Sequence, residues 1–342
     1  MIWVIFVHVL YWGEFFQNST VNLVKSFFLF EMPLFFFVTG ASNSLGKNDG
    51  YFPIVFRRYK RFLIPYWFFA VICAILTIAR TGVCDGIEPA SALKILFSWL
   101  LPLNRQITTI PYLTFALWFV PVYLCVIVTV PILRRIKESK IGTLFLFLFV
   151  LVYILTCFSA LGKLQKVVFY ALWTYIGLFY RDITAGLHRP HFKKYAGLIS
   201  AAGVVIMVTL YFAGYSLDMQ YNKFPPNAMF AAFSMAIMPL IIMSIPHINK
   251  ICDRIKVCKF TKAIFDLYAY RSMTIFLYQV FAFNITIELA YILIPGTGIL
   301  ISLVKSLLCL ITTVPLCAGL AMIFGKIEEI GVVRKTKDDV SV

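Results

Sequence analysis

The sequence predicts an all-α membrane protein: one domain over residues 1–342, built as a single bundle of about ten transmembrane helices with both termini in the cytosol. Three observations lead there. Hydrophobic residues make up 61% of the 342 positions and charged ones 13%, too little polar surface for a soluble globule of that length. Runs free or nearly free of charge recur at lengths that cross roughly 30 Å of hydrocarbon at about 1.5 Å per residue. Between these runs, Lys and Arg concentrate on alternate sides.

The ten spans fall at approximately 2–17, 22–44, 63–80, 113–133, 141–161, 164–181, 195–215, 227–246, 272–293 and 299–325. The first opens MIWVIFVHVLYW, with no basic region before its apolar core and no small-residue cleavage site after it, so it is read as a retained span and not as a leader. The stretch Ala92 to Leu103, ALKILFSWLLPL, is too short to cross and carries Lys94, so a helix lying at the interface or re-entering is expected there. With the N-terminus inside, 23 Lys and Arg fall in cytosolic segments and seven outside, with Lys305 within the last span. The cytosolic groups are Lys47 with Arg57, Arg58, Lys60 and Arg61; Arg134, Arg135, Lys137 and Lys140; Arg181, Arg189, Lys193 and Lys194; six in the 247–271 loop; and four after Phe324. An odd number of crossings in the middle would scramble that split.

The net charge of +16 does not indicate a nucleic-acid partner, because the cations lie between apolar runs and form no basic face on a soluble domain. The eight cysteines show no CxxC spacing, so they read as small packing residues and imply neither a metal site nor a disulfide framework. No linker, low-complexity segment or inverted repeat divides the chain.

Any chemistry must use the ionisable groups inside or beside the spans, since inserting one costs roughly 2.5 to 3.5 kcal/mol even on the lenient scale. These are His8 in the first span, Glu31 in the second, Glu288 in the ninth and Lys305 in the tenth. His8 is either bonded to a backbone carbonyl or a reacting group. Glu31, Glu288 and Lys305 could pair with one another or with Arg80, and Glu31 and Glu288 could instead orient His8 or the acceptor. The segment FRRYKRFLIPYW, residues 56–67, places four cations within five positions before the third span. By composition it is a positive-inside anchor touching anionic lipid, or a phosphate site in which Arg57, Arg58 and Arg61 grip oxygens in pairs.

The order of VIFVHVLYW, EMPLFFFVTGASNS, FRRYKRFLIPYW and LTFALWFVPVYL resembles the acyltransferase-3 family of integral membrane acyltransferases. In that family a first-span His is followed by a Pro-Leu-Phe-Phe…Ser-Gly element, an Arg-x-x-Arg element before a proline, and a Leu-Trp-Phe element. Here these are His8; Pro33, Leu34, Phe35 and Phe36 with Thr39 and Gly40; Arg58 and Arg61 before Pro65; and Leu117, Trp118 and Phe119. There are two departures. The Arg commonly found eleven positions before the His would fall ahead of Met1, so the chain is expected either to begin downstream of a natural start or to lack that residue. The late Ser…Tyr-x-x-His pattern reads SMTIFLYQVF, with Gln279 in the histidine's place, so no second catalytic histidine is assigned.

The resemblance implies transfer of an acyl group, acetyl by expectation, from cytosolic acyl-CoA to a hydroxyl of an extracytoplasmic carbohydrate, in the cytoplasmic membrane of a bacterial cell. Acyl-CoA is then a co-substrate, and neither a bound cofactor nor a metal is expected. Arg57, Arg58 and Arg61 would hold the donor's phosphates, and His8 would act as general base or as a transient acyl carrier. Thr39 and Gly40 would allow close backbone approach, although a glycine there serves equally as a helix stop. Glu31, Trp118 and Glu288 are expected in support. The rival class is a transporter or flippase for a lipid-linked sugar, whose intramembrane His, Glu and Lys would relay protons. It predicts broken helices at matching positions in two halves and gives no reason for Arg-x-x-Arg.

Overall fold

The computed structural model describes residues 1–330 apart from 17, 47–49, 86, 87, 104, 160 and 188, and every regular element in them is a helix. In chain order these are α1 (Ile2–Trp12), α2 (Ser19–Ser26), α3 (Glu31–Leu45), α4 (Tyr51–Asp85), α5 (Pro89–Leu100), α6 (Phe119–Glu138), α7 (Gly142–Cys157) and α8 (Gly162–Leu178). There follow α9 (Tyr180–Gly186), α10 (Pro190–Phe212), α11 (Met219–Asn222), α12 (Ala228–Ile255), α13 (Lys259–Tyr270), α14 (Ser272–Leu293), α15 (Ile299–Phe324) and α16 (Ile327–Ile330). Lys47 and the tail cations Arg334, Lys335 and Lys337, counted in the charge balance, lie outside the described residues.

Among the described residues, seven segments are long and apolar enough to cross a membrane: Ser19–Leu45, Tyr51–Gly82, Phe119–Glu138, His191–Phe212, Ala228–Ile255, Ser272–Leu293 and Ile299–Phe324. The other three expected spans correspond to α1, α7 and α8, of 11, 16 and 17 residues. At about 1.5 Å per residue, α1 reaches only about half of a 30 Å core. It stops because Glu14, just past Gly13, adopts φ 47°, a left-handed conformation that ends a helix.

Three boundaries differ from the sequence expectation for local reasons. The span expected at 22–44 falls within Ser19–Leu45 but is not one continuous helix: successive i→i+3 bonds from Phe27, Phe28 and Leu29 interrupt it after Ser26, so Glu31 sits in the first turn of α3. There the helix dipole favours a carboxylate. The span expected from 113 begins as tight turns, and its α-helix starts only at Phe119. The basic segment 56–61, expected as a cytosolic loop, belongs to the continuous 35-residue helix α4. At about 52 Å, α4 is longer than the hydrocarbon is thick, so its basic first turns extend out of the apolar zone. Arg134, Arg135 and Lys137 likewise sit at the end of α6, where cations suit the helix C-terminus. Arg134 pairs with Glu138 at 3.1 Å and Lys137 with Asp182 at 2.9 Å.

The helices group into two compact units that interleave along the chain. The first takes Met1–Phe15, Phe52–Pro121 and the part from Cys258 onward. Within it α1 runs parallel to α14: His8 lies beside Gln279, Trp12 meets Phe283 at 4.8 Å, and the Tyr291 hydroxyl donates to the Gly13 carbonyl at 2.8 Å. Helix α15 runs antiparallel to α14, with Tyr278 stacked on Phe324 at 4.4 Å and the Thr286 and Thr313 hydroxyls bonded at 2.8 Å. Helix α4 packs on α14 through Phe69, whose ring lies 5.5 and 5.7 Å from those of Tyr278 and Phe281. The short helix expected near 92–103 is α5; Trp99 anchors it, donating to the Ile107 carbonyl at 3.0 Å while its own carbonyl accepts from Tyr66 at 2.8 Å.

The second unit takes Phe16–Tyr51 and Val122–Val257. Its centre is the crossing of α3 and α8, where a Cβ on Gly40 would stand 2.0 Å from the Thr174 carbonyl and one on Gly177 would stand 2.1 Å from that of Phe37. Only glycine permits this approach, the usual device for packing helices inside a bilayer, where burial of apolar surface adds little. Helix α7 closes on α8 around Tyr175, whose hydroxyl donates to the Gly142 carbonyl at 2.8 Å.

Candidate functional site

His8 lies half-buried on α1, between the fully buried Val7 and Val9. Its Nδ1 is 3.1 Å from Oε1 of Gln279, its ring stacks on Trp12 at 4.1 Å with planes 12° apart, and Phe283 presents an edge at 6.2 Å. Gln279 has no exposed surface, and its Nε2 donates to the Phe276 carbonyl at 2.8 Å. These neighbours meet because α1 and α14 are parallel, so positions four apart on each helix (His8 and Trp12, Gln279 and Phe283) face one another in register. His8 is thus hydrogen-bonded to a side-chain amide.

Arg57 and Arg61 are exposed and Arg58 is half-buried, all on the first turns of α4. At spacings of three and four they share one helical face. Arg61 lies close enough to Glu328 to act on its charge. Burial raises the Glu328 carboxyl above the ordinary range, opposed by hydrogen bonds from Thr274 and by the charges of Arg61 and Arg271. Arg271 in turn pairs with Glu329 and donates to the Gly325 carbonyl. Arg61, Arg271 and Glu328 thus mark one end of the first unit. Gln279 follows Arg271 by eight positions, which puts the His8 pair about 12 Å further along α14.

The remaining expected residues have other surroundings. Glu31 belongs to the second unit and is ion-paired with Lys223, their side chains only 4% and 6% exposed. Lys223, counted in sequence as an outside cation, sits in a tied-down loop: the Asn222 amide donates to the Ser216 and Asp218 carbonyls, and Gln165 donates to that of Pro226. The expected pairings among Glu31, Glu288, Lys305 and Arg80 are therefore replaced by Glu31 with Lys223. Lys305 donates to the Gly296 carbonyl at 2.9 Å and lies over the Tyr291 ring. Glu288 is exposed on α14, and Trp118 is half-buried in the turns before α6. Thr39 turns its hydroxyl back to the Phe35 carbonyl at 3.0 Å, and Gly40 lies mid-helix at the α3–α8 crossing, where it permits close backbone approach and does not stop the helix.

Breaking the buried pair on one side strands a charge. Lys223→Met is expected to destabilise the protein by about 3–5 kcal/mol, and Glu31→Gln combined with Lys223→Met to recover most of that. Thermal unfolding in detergent measures both, and a single variant with parental stability would remove the pair from the fold's support.

Fold and site together define a polytopic helical membrane protein with an imidazole fixed inside one helical unit. A family model described as an acyltransferase domain, that of the acyltransferase-3 family, matches residues 1–322, from α1 almost to the end of α15, and the chain belongs to that family. It is a membrane O-acyltransferase. No curated protein and no solved structure matches the chain.

Proposed function

We propose that the protein moves an acyl group, acetyl by expectation, from cytosolic acyl-CoA to a hydroxyl of an extracytoplasmic carbohydrate, and that it works in a bacterial cytoplasmic membrane. The observation that carries this reading is His8, an imidazole embedded in the first unit and held by an uncharged amide at 3.1 Å. Arg57, Arg58 and Arg61 receive the donor's phosphates as paired contacts on one helical face. The charge split of 23 against seven supports placing that end in the cytosol. From there the thioester arm reaches about 12 Å inward to His8.

In the general-base route, the imidazole takes the proton of the acceptor hydroxyl as that oxygen attacks the thioester carbonyl. The carbon–sulfur bond then breaks, and the proton passes to the departing thiolate of coenzyme A. In the carrier route, an imidazole nitrogen attacks the thioester carbonyl first and expels coenzyme A as its thiolate, which takes up the proton the ring gives up; the acceptor oxygen then displaces the imidazole, which recovers a proton from that hydroxyl. Both routes end with the same ester and the same thiol.

Mass spectrometry of surface glycans with and without the gene tests the proposal. Loss of an acetyl-sized or succinyl-sized increment is expected, and identical glycans would exclude a carbohydrate acceptor.

A further inference from the structure

We infer that Gln279 is a positioning residue that holds His8 in a single tautomer, with the proton on Nδ1 and the lone pair on Nε2. This rests on the reading of His8 as base or acyl carrier and adds the group that prepares it. A glutamine Oε1 can only accept, so at 3.1 Å the His8 Nδ1 must donate. The orientation of the amide is settled by its other end: Nε2 donates to the Phe276 carbonyl at 2.8 Å, and a flipped amide would set two acceptor oxygens against each other there. Gln279 has no exposed surface, so water does not stand in for either bond.

The ring plane is fixed as well. Trp12 stacks 4.1 Å away and Phe283 closes the edge, so rotating the imidazole would forfeit both the hydrogen bond and the stack. The arrangement does what the carboxylate does for the histidine of a Ser-His-Asp triad, choosing the tautomer and aiming the reactive nitrogen. It differs in that an amide orients the ring without adding a counter-charge.

The chain has four histidines, so protein labelled with ¹⁵N-histidine gives few ring signals, and that of His8 is the one lost in His8→Ala. The parent is expected to show His8 protonated on Nδ1, Gln279→Glu to keep that signature, and Gln279→Leu to show mixed tautomers. With acetyl-CoA as donor, Gln279→Leu should lower kcat by about 10- to 100-fold at unchanged KM, and Gln279→Glu, which keeps an acceptor oxygen, should restore most of it. A parent His8 carrying its proton on Nε2, or a Leu variant with parental tautomer and kcat, would overturn the inference. Should the Leu variant not fold, the parental spectrum still decides. Full activity in His8→Ala would instead overturn the catalytic reading of His8, an outcome distinct from any tautomer result.

Discussion

Replacing His8 by alanine leaves a protein that inserts and accumulates normally but transfers acyl groups slower by on the order of 100-fold or more. The reasoning starts from cost: an imidazole among Ile5, Val7 and Val9 sacrifices hydration unless its nitrogens are used. One nitrogen is accounted for by Gln279, which orients the ring. His8→Gln is the sharper variant, because a glutamine at this position can still donate to Gln279 yet cannot take a proton. It should be as inactive as alanine while keeping the parental unfolding temperature. Acylation of the acceptor at near-parental rate by His8→Gln would show that the position supplies only a hydrogen bond, and would move the chemistry to Glu31 or Glu288.

Charge reversal at Arg58 and Arg61 together is expected to abolish acyl-CoA binding, and the double Arg→Lys variant to weaken it. A guanidinium presents a planar fork that meets two phosphate oxygens at once, which an ammonium cannot reproduce, whereas a mere positive-inside anchor tolerates lysine. The Lys variant is the cleaner test for a structural reason. Arg61 lowers the cost of the buried Glu328 carboxylate, so a glutamate in its place would repel Glu328 and disturb the end of the unit independently of any donor. Affinity is measured by titrating acetyl-CoA into detergent-purified protein. Equal affinity for the double Lys variant and the parent would return these residues to the anchor reading.

Much of the site could be read from sequence position by position, but not its partnerships. His8 stood out because a polar ring in an apolar run is expensive, and the Arg-x-x-Arg segment because four cations precede a span. Gln279 was visible only as a departure from a motif, since a glutamine in a span reads as one more packing residue until its partner is seen. Gly40 read equally as a point of close backbone approach or as a helix stop, and only the packing decided: the helix continues to Leu45 and the glycine serves the crossing with Gly177. Sequence missed a helix break at 27–30 and a late helix start after 111–118, where turns replace helix without a change of hydropathy. Hydropathy measures transfer into the bilayer, whereas a boundary is set by backbone hydrogen bonding.

By itself the sequence determined that the chain is helical and belongs in a membrane. That follows from composition, which adds up residue by residue: in hydrocarbon each segment must satisfy its own backbone bonds, and a helix does so locally. It also determined which residue types were available for chemistry, because ionisable groups in the spans are few. Only the tertiary structure decided which of them meet. His8 and Gln279 are separated by 271 positions and Lys223 and Glu31 by 192. No periodicity within one helix specifies its neighbour or its register, so these pairings arise from how helices distant in sequence pack against each other.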